Sequence, residues 1–352
     1  MEKDIFIRSR TKPSVVGTGL IALDVVLTGN SLEARRLWAG GTCGNVLTIL
    51  SYLGWRAFPV SRLNGDSASE LLQQDLKKWG VCLSFAKLKP ATSTPIVVER
   101  IHRTSHGEAF HRFTWICPNC GAWMPNYMAV RASAAKSIAD RIKSPKIFFL
   151  DRVSRGALIL ATACSEKGAV VVFEPSCAGE PRLVREALEI CHVLKYSHEH
   201  KKYLNEVYAA ANPLLEVETL GQQGLRYRSR VSSCKTKGWQ RLKAYEVSQF
   251  KDAAGAGDWC TAGIIHQIGR HGLAGLQKLA DNELKDVLRF GQTLAAWNCR
   301  FEGARGGMYA VDRKTFRHDI ELIMAGNGLQ VPIRDKPGMV VNKLQRRICP
   351  AC

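Results

Sequence analysis

Residues 252–265 read DAAGAGDWCTAGII: small residues, a carboxylate, then an apolar run. Gly255, Ala256 and Gly257 carry little or no side chain, so a ligand can come close to their backbone N–H groups. In the run that follows, Ala262, Ile265 and Ile268 fall on one helical face, with Ile264 beside them. The mouth of a helix exposes unpaired N–H donors and a partial positive charge, a combination that binds phosphate. Asp258 adds a negative charge at that same mouth. It is either an N-cap or a general base, drawing a proton from a hydroxyl while the 255–257 amides hold the oxygens of a transferring phosphoryl group.

The chain around this segment alternates in type. KIFFLD (146–151) reads as a buried strand, 154–168 as a helix and AVVVFEP (169–175) as a strand. The stretch 180–193 reads as a helix and EVETLG (216–221) as a further strand. Strand–helix alternation of this kind predicts a parallel, doubly wound sheet with its active crevice at the carboxyl ends of the strands. Upstream, SVVGTGLIALDVVL (14–27) reads as a strand, a glycine turn and a second extended piece. Residues 40–54 open on Gly-Gly and continue as a helix through Val46, Leu47, Ile49, Leu50 and Leu53 to a stop at Gly54. A helix from Ser67 is capped by Ser67 or Ser69 and stops at Gly80. Residues 91–116 are β-rich, a hairpin with its loop around Gly107.

Composition sets outer limits. At 352 residues with 46% hydrophobic content the chain is globular with a large core. The opening MEKDIFIRSRTKP lacks an apolar leader region, and no apolar run reaches membrane-span length, so a cytoplasmic protein without membrane partners is expected. The net charge is +19, a field that attracts anions. Residues 225–243 hold seven Lys/Arg and no acid, and from Arg313 onward eight Lys/Arg face Asp319, Glu321 and Asp335. Such runs are solvated faces or a nucleic-acid footprint. GTGLIA (17–22) matches the Gly-x-Gly-x-x-Ala dinucleotide fingerprint, but the stretch after it reads as extended where that motif needs a helix. No Gly-x-x-x-x-Gly-Lys-Ser/Thr phosphate loop occurs.

With its late D-A-A-G-A-G-D and its early Gly40-Gly41-Thr42-Cys43-Gly44-Asn45 leading through a helix to Leu53-Gly54, the sequence resembles the PfkB/ribokinase family of carbohydrate and nucleoside kinases. The resemblance runs from about Val15 to Val311, with Ala253 where the family has Thr. It implies a ribokinase-like three-layer α/β/α sandwich with a small β lid, whose strands come from about 20–38 and 91–116. It also implies ATP-dependent phosphorylation of a hydroxyl on a sugar, nucleoside or related small molecule. Asp258 would be the base, and Gly255, Ala256 and Gly257 the anion hole. Asp24, Gly41, Thr42 and Asn45 would hold the acceptor; read without the family, Asp24 is equally a turn residue and Asn45 a helix cap. Thr219, Gly221 and Gly224 in ETLGQQG resemble a nucleotide-side motif, though the same residues fit an ordinary strand–turn–strand. Lys195 and Asn298 are further nucleotide-side candidates. Magnesium on the ATP phosphates, a monovalent cation such as K+ near the anion hole, and a homodimer through the lid are implied as well. One position departs from the family: His200 stands where a metal-organising Glu is usual, with Glu199 or Glu174 as replacements. Lid residues Thr94, Glu99, His111 and Arg112 are candidates to face the acceptor, the last two pointing to a phosphorylated or nucleotide-like one.

Twelve cysteines include Cys82, Cys164, Cys191 and Cys260, which read as small core residues. Two pairs differ: CPNCG at 117–121 and CPAC at 349–352. Cys117, Cys120, Cys349 and Cys352 can supply the four thiolates of a structural zinc that pins the tail to the lid. Separate sites, a redox pair or a zinc between two chains use the same residues. The organisation expected is a kinase domain over 1–316 and a basic tail over 317–352. A second class of function stays open, a catalytically weakened kinase fold that binds nucleic acid or a protein through its basic and zinc-knuckle surfaces.

Overall fold

A computed structural model describes residues 5–29, 36–63, 65–87, 89, 91–103, 109–204, 207–247, 249–326 and 348–352. The strands are β1 (Ser14–Thr18), β2 (Ala22–Thr28), β3 (Arg36–Gly40), β4 (Arg56–Pro59), β5 (Ile96–Arg103), β6 (Ala109–Thr114), β7 (Ile147–Leu150), β8 (Val170–Phe173), β9 (Val193–Ser197), β10 (Leu215–Thr219), β11 (Leu225–Ser229) and β12 (Gln240–Leu242). The helices are α1 (Thr42–Tyr52), α2 (Ser67–Lys78), α3 (Ala132–Arg141), α4 (Arg155–Glu166), α5 (Pro181–Ile190), α6 (Ala256–Ile268), α7 (Gly272–Gln277), α8 (Asp281–Asn298), α9 (Gly306–Ala310) and α10 (Arg313–Met324). An eight-stranded sheet runs β12-β11-β10-β9-β8-β7-β1-β4. It is parallel from β10 to β4, with β11 and β12 added antiparallel.

The strict alternation of side chains along the central strands builds the layers. Val15, Ile147, Phe149, Val170, Val172 and Val193 join a core with α1, α6, α8 and α10 on one face. Their neighbours Val16, Phe148, Leu150, Val171, Phe173 and Leu194 join a second core with α3, α4 and α5 on the other. The result is the expected α/β/α sandwich. The expected strand after Gly19 is β2, so the dinucleotide fingerprint has no helix to open.

The lid is a separate sheet of order β3-β2-β5-β6. Leu23, Val25, Leu27, Leu37, Ile96 and Val98 form its apolar back, packed with Ala68 and Leu71 of α2. Lateral pairing places Asp24 beside Trp38 and Val97, and Val26 beside Arg36 and Glu99, on the opposite face. The hairpin loop expected around Gly107 and the side chain of His111 lie outside the described residues, as do residues 327–347 of the tail.

Several expectations change. Asp66, not Ser67 or Ser69, caps α2: its carboxylate accepts from the Ser69 N–H at 2.7 Å. Thr94 is buried and bound to the same Asp66, so it fastens the lid to that cap and does not face an acceptor. Cys82 is exposed, because it lies in the turn after α2; Cys164, Cys191 and Cys260 are buried. The boundary drawn at 316 falls inside α10, whose Phe316, Ile320 and Ile323 are core residues, so the packed body continues to that helix's end. Two of the seven cations of the acid-free run 225–243 pair with carboxylates of the neighbouring strand β10. Arg226 pairs with Glu218 at 2.7 Å and Arg228 with Glu216, and both guanidinium groups lie over the Trp239 ring.

Helices α6 and α8 approach closely where Gly263 faces Gly291. A Cβ on Gly291 would fall 2.8 Å from the Cys260 carbonyl oxygen and 2.9 Å from Ile264. Gly291→Val should therefore destabilise the protein by about 1–3 kcal/mol, read as a lower denaturant midpoint. An unchanged midpoint would show that the two helices are free to move apart.

Candidate active site

Two helix mouths converge at the carboxyl edge of the sheet. Gly41 is the N-cap of α1 and Gly255 that of α6, both with left-handed φ, +77° and +71°. The requirement for glycine is steric as well. A Cβ on Gly41 would sit 2.5 Å from the Leu20 carbonyl oxygen, and one on Gly255 would sit 2.4 Å from that of Ala304. Thr42 opens α1, and Asn45 one turn on is 4% exposed. Its Nδ2 donates to Asp258 Oδ2 at 2.7 Å, so the first turns of α1 and α6 are joined through the two residues singled out in sequence.

Asp258 is half-buried with one oxygen held by Asn45. Burial pushes its carboxyl up, the charge of Glu174 adds to this, and Asn45 and Lys195 oppose it; it stands at about 7. That value suits a base working near neutral pH. Gly257 is exposed beside it, in the helix turn whose N–H groups have no intrahelical acceptor.

Beneath the mouth lies a polar floor. Lys195 lies in the middle of β9 and is 2% exposed; its Nζ donates to Glu174 and, at 3.1 Å, to the Gly257 carbonyl. Thr261 Oγ1 contacts Glu174 Oε2 at 2.6 Å and the Gly257 carbonyl at 3.0 Å. Burial alone would lower the Lys195 pKa, but the Glu174 charge holds it above the usual lysine value. Lys195 is thus bonded to the underside of the glycine turn. Glu174 has both oxygens engaged, while Glu199 is exposed. The His200 ring lies 5.3 Å from that of Tyr203, tilted by 34°, and burial lowers its pKa.

The acceptor side contains Asp24, half-buried on the lid face, with its pKa raised by burial and by Glu99 and lowered by Arg305 and a Gly41 hydrogen bond. Glu99 is 3% exposed on the same face, whereas Arg112 is exposed. Arg305 lies behind Asn45, fully buried. Its Nε donates to Asn45 Oδ1 at 3.0 Å, and its Nη2 donates to the Ala39 carbonyl and to Asp75 at 2.8 Å. Asp75 also accepts from the Ala39 N–H and the Tyr309 hydroxyl. Arg305 therefore fixes which way the Asn45 amide points, and ties the site to β3 of the lid and to α2.

Of the residues expected near a nucleotide, Thr219 ends β10, with Oγ1 3.4 Å from the Tyr196 carbonyl. Gly221 faces open space, and Gly224 packs against β12, where a Cβ would meet the Leu242 carbonyl oxygen at 2.1 Å. Asn298 is fully buried and donates to the Ala254 carbonyl at 2.8 Å, bracing the 252–257 segment. Asp252 braces it too, accepting from the N–H groups of Ala254 and Gly303. The sequence reading missed Asp151, Thr261, Asp75 and Arg305. Asp151 accepts from the Leu20 N–H and the Ser176 hydroxyl, and its pKa is pushed up to about 6 by burial, against the pull of Arg152. It had a usable signal, the first polar residue after a buried run at a strand's carboxyl end.

Removing the guanidinium leaves Asp75 buried without a counter-charge. Arg305→Met should cost about 3–5 kcal/mol, measured by urea unfolding, and adding Asp75→Leu should restore most of it. A double variant as unstable as the single would show that the ion pair is not the cause.

Residues 14–309 match the model of the pfkB family carbohydrate kinases. No curated protein matches the chain. Among solved structures it is similar to ribokinase from Giardia lamblia, with TM-score 0.67 and 13% identity over 90% of this chain and 99% of that one. A fructokinase with bound ATP from Xylella fastidiosa gives 0.63 and 18% over 84% and 94%. A Burkholderia thailandensis nucleoside kinase in complex with inosine gives 0.63 and 17% over 90% and 100%. At these identities the likeness is one of fold.

Proposed function

The chain belongs to the pfkB carbohydrate kinase family, and from that premise we propose that it transfers the γ-phosphoryl group of ATP to a hydroxyl of an uncharged, sugar-containing acceptor. The observation that carries the reading is the Asn45–Asp258 hydrogen bond at 2.7 Å, which sets a half-exposed carboxylate with a pKa of about 7 beside a glycine-lined helix mouth. The acceptor hydroxyl gives its proton to Asp258 as its oxygen bonds to the γ-phosphorus. The bond from that phosphorus to the β,γ-bridging oxygen breaks and ADP leaves. The Gly255 and Gly257 N–H groups receive charge on the phosphoryl oxygens, the Ala256 N–H donates to the Ala253 carbonyl at 3.1 Å, and the Lys195–Glu174–Thr261 floor keeps that turn in place.

The donor set leaves little protein for a magnesium ion. Glu174 and Asp252 have both oxygens engaged. The ion would be held mainly by nucleotide phosphates and water, where it supplies charge neutralisation. On the acceptor side Asp24, Glu99 and Asn45 suit neighbouring hydroxyls. The two carboxylates disfavour an anionic acceptor, and Arg36 on that face is 3.5 Å from Glu302. A polyol or nucleoside therefore fits better than the phosphorylated acceptor read from His111 and Arg112.

ADP release should be stimulated by one member of a panel of free sugars and nucleosides, and not by its phosphate ester. Asp258→Asn should lower kcat about 10²- to 10⁴-fold while the protein stays folded. No turnover with any acceptor, together with salt-sensitive binding to RNA or DNA, would favour the binding-protein reading instead.

The ionised form of Asp258 accepts the proton, so kcat/KM should fall as pH drops through about 7 and level off above it. A profile flat from pH 5 to 8 (about two units to the acid side of that value) would remove Asp258 from the base role.

A further inference from the structure

The sandwich and the acceptor site leave one built cluster unused. Cys117 and Cys120 lie in a tight knuckle after β6. The Cys117 N–H donates to the Ala122 carbonyl at 2.8 Å, the Gly121 N–H donates to the Cys117 carbonyl at 3.0 Å, and Ile116 bridges Trp123. Cys349 and Cys352 lie in a second turn more than two hundred residues later, yet all four sulfurs are within 4.8 Å of one another. The contacts run between the knuckles: Cys117 Sγ to Cys352 Sγ is 3.8 Å and Cys120 Sγ to Cys349 Sγ is 3.7 Å. A disulfide needs about 2.05 Å. Four sulfurs at about 2.3 Å from one zinc lie about 3.8 Å apart along the edges of a tetrahedron; the two pairs between the knuckles have that spacing and all four sulfurs are within 4.8 Å. Two of the cysteines are exposed, so the cluster is not four apolar thiols hidden in a core.

The position gives the cluster a mechanical consequence. Cys117, Cys349 and Ile348 pack on the apolar back of the lid with Leu23, Val25, Ile96 and Val98. These residues alternate with Asp24, Val97 and Glu99 on the acceptor face of the same strands. The knuckle is also stitched to β5, the Ile96 N–H donating to the Pro125 carbonyl at 3.0 Å.

We propose that Cys117, Cys120, Cys349 and Cys352 of one chain bind one structural Zn2+, which fastens residues 348–352 to the back of the lid and stiffens β2 and β5. Four thiols release their protons to solvent on binding and no electrons move. With four sulfur ligands the ion has no open position, so its role is structural. None of this depends on the kinase reading, and it is tested without turnover.

The purified full-length chain should contain about one zinc per chain, and Co2+ put in its place should give the visible bands of a tetrahedral thiolate site. Cys349→Ser/Cys352→Ser should lose the metal. Amide hydrogen exchange in 22–28 and 96–103 should then speed up, while 147–150 and 170–173 stay protected. The sandwich cores contain none of the four cysteines, so the variant keeps its fold; truncation after residue 347 should behave the same way. A metal-free chain with two mass units missing for each disulfide would overturn the proposal, as would zinc retained in the double variant. Zinc present only in a dimer that chelation splits would overturn the single-chain assignment, and unchanged lid exchange after metal loss would overturn the clamp.

Discussion

A carboxylate at the mouth of a helix, next to the place where phosphate oxygens gather, is unfavourable unless something holds and orients it. In this protein the Asn45 amide does so, and its hydrogen bond is the join on which the site depends. It brings α1 and α6 together at their first turns. It leaves Asp258 partly open to a substrate, and it opposes the burial that would otherwise raise the carboxyl pKa further.

Asn45 is held in its turn from behind. An amide can rotate to exchange its oxygen and nitrogen, and the exchange would set an acceptor against a carboxylate. Arg305 prevents it by donating to the oxygen, and is itself fixed by Asp75 and the Ala39 carbonyl. Burying this guanidinium is costly in isolation, and the paired carboxylate and carbonyl offset it. The same bonds reach β3, so the strand that begins the lid and the residue that orients the base share one anchor. Trp38 of that strand stacks on Tyr309, with rings 5.4 Å apart and nearly parallel, which extends the anchor toward α9.

What the sequence discloses divides by distance along the chain. The glycine turn, Asp258 and Asn45 are legible because each is announced by its neighbours: small residues before a helix, Gly-Gly before another, apolar spacing after both. The sandwich is legible for the same reason, since Phe148 and Phe149 must point to opposite faces whatever the partner strands are. Arg305 and Asp75 meet across 230 residues, and nothing near either distinguishes it from an ordinary surface charge. In the basic run 225–243 the partners of Arg226 and Arg228, Glu218 and Glu216, are on a strand read separately. The position of Lys195 was legible but its burial was not, since a motif gives position and not depth.

Depth has a practical side. Methods that rank side chains by reactivity toward a reagent in solution sample what water can touch, and an amine that is 2% exposed is outside their reach. In the folded protein Lys195 would escape acylation while exposed lysines are modified, although its ammonium bonds directly to the glycine turn at the mouth of α6. For this fold, chemical silence at a lysine is a mark of enclosure and says nothing about how much the site needs it.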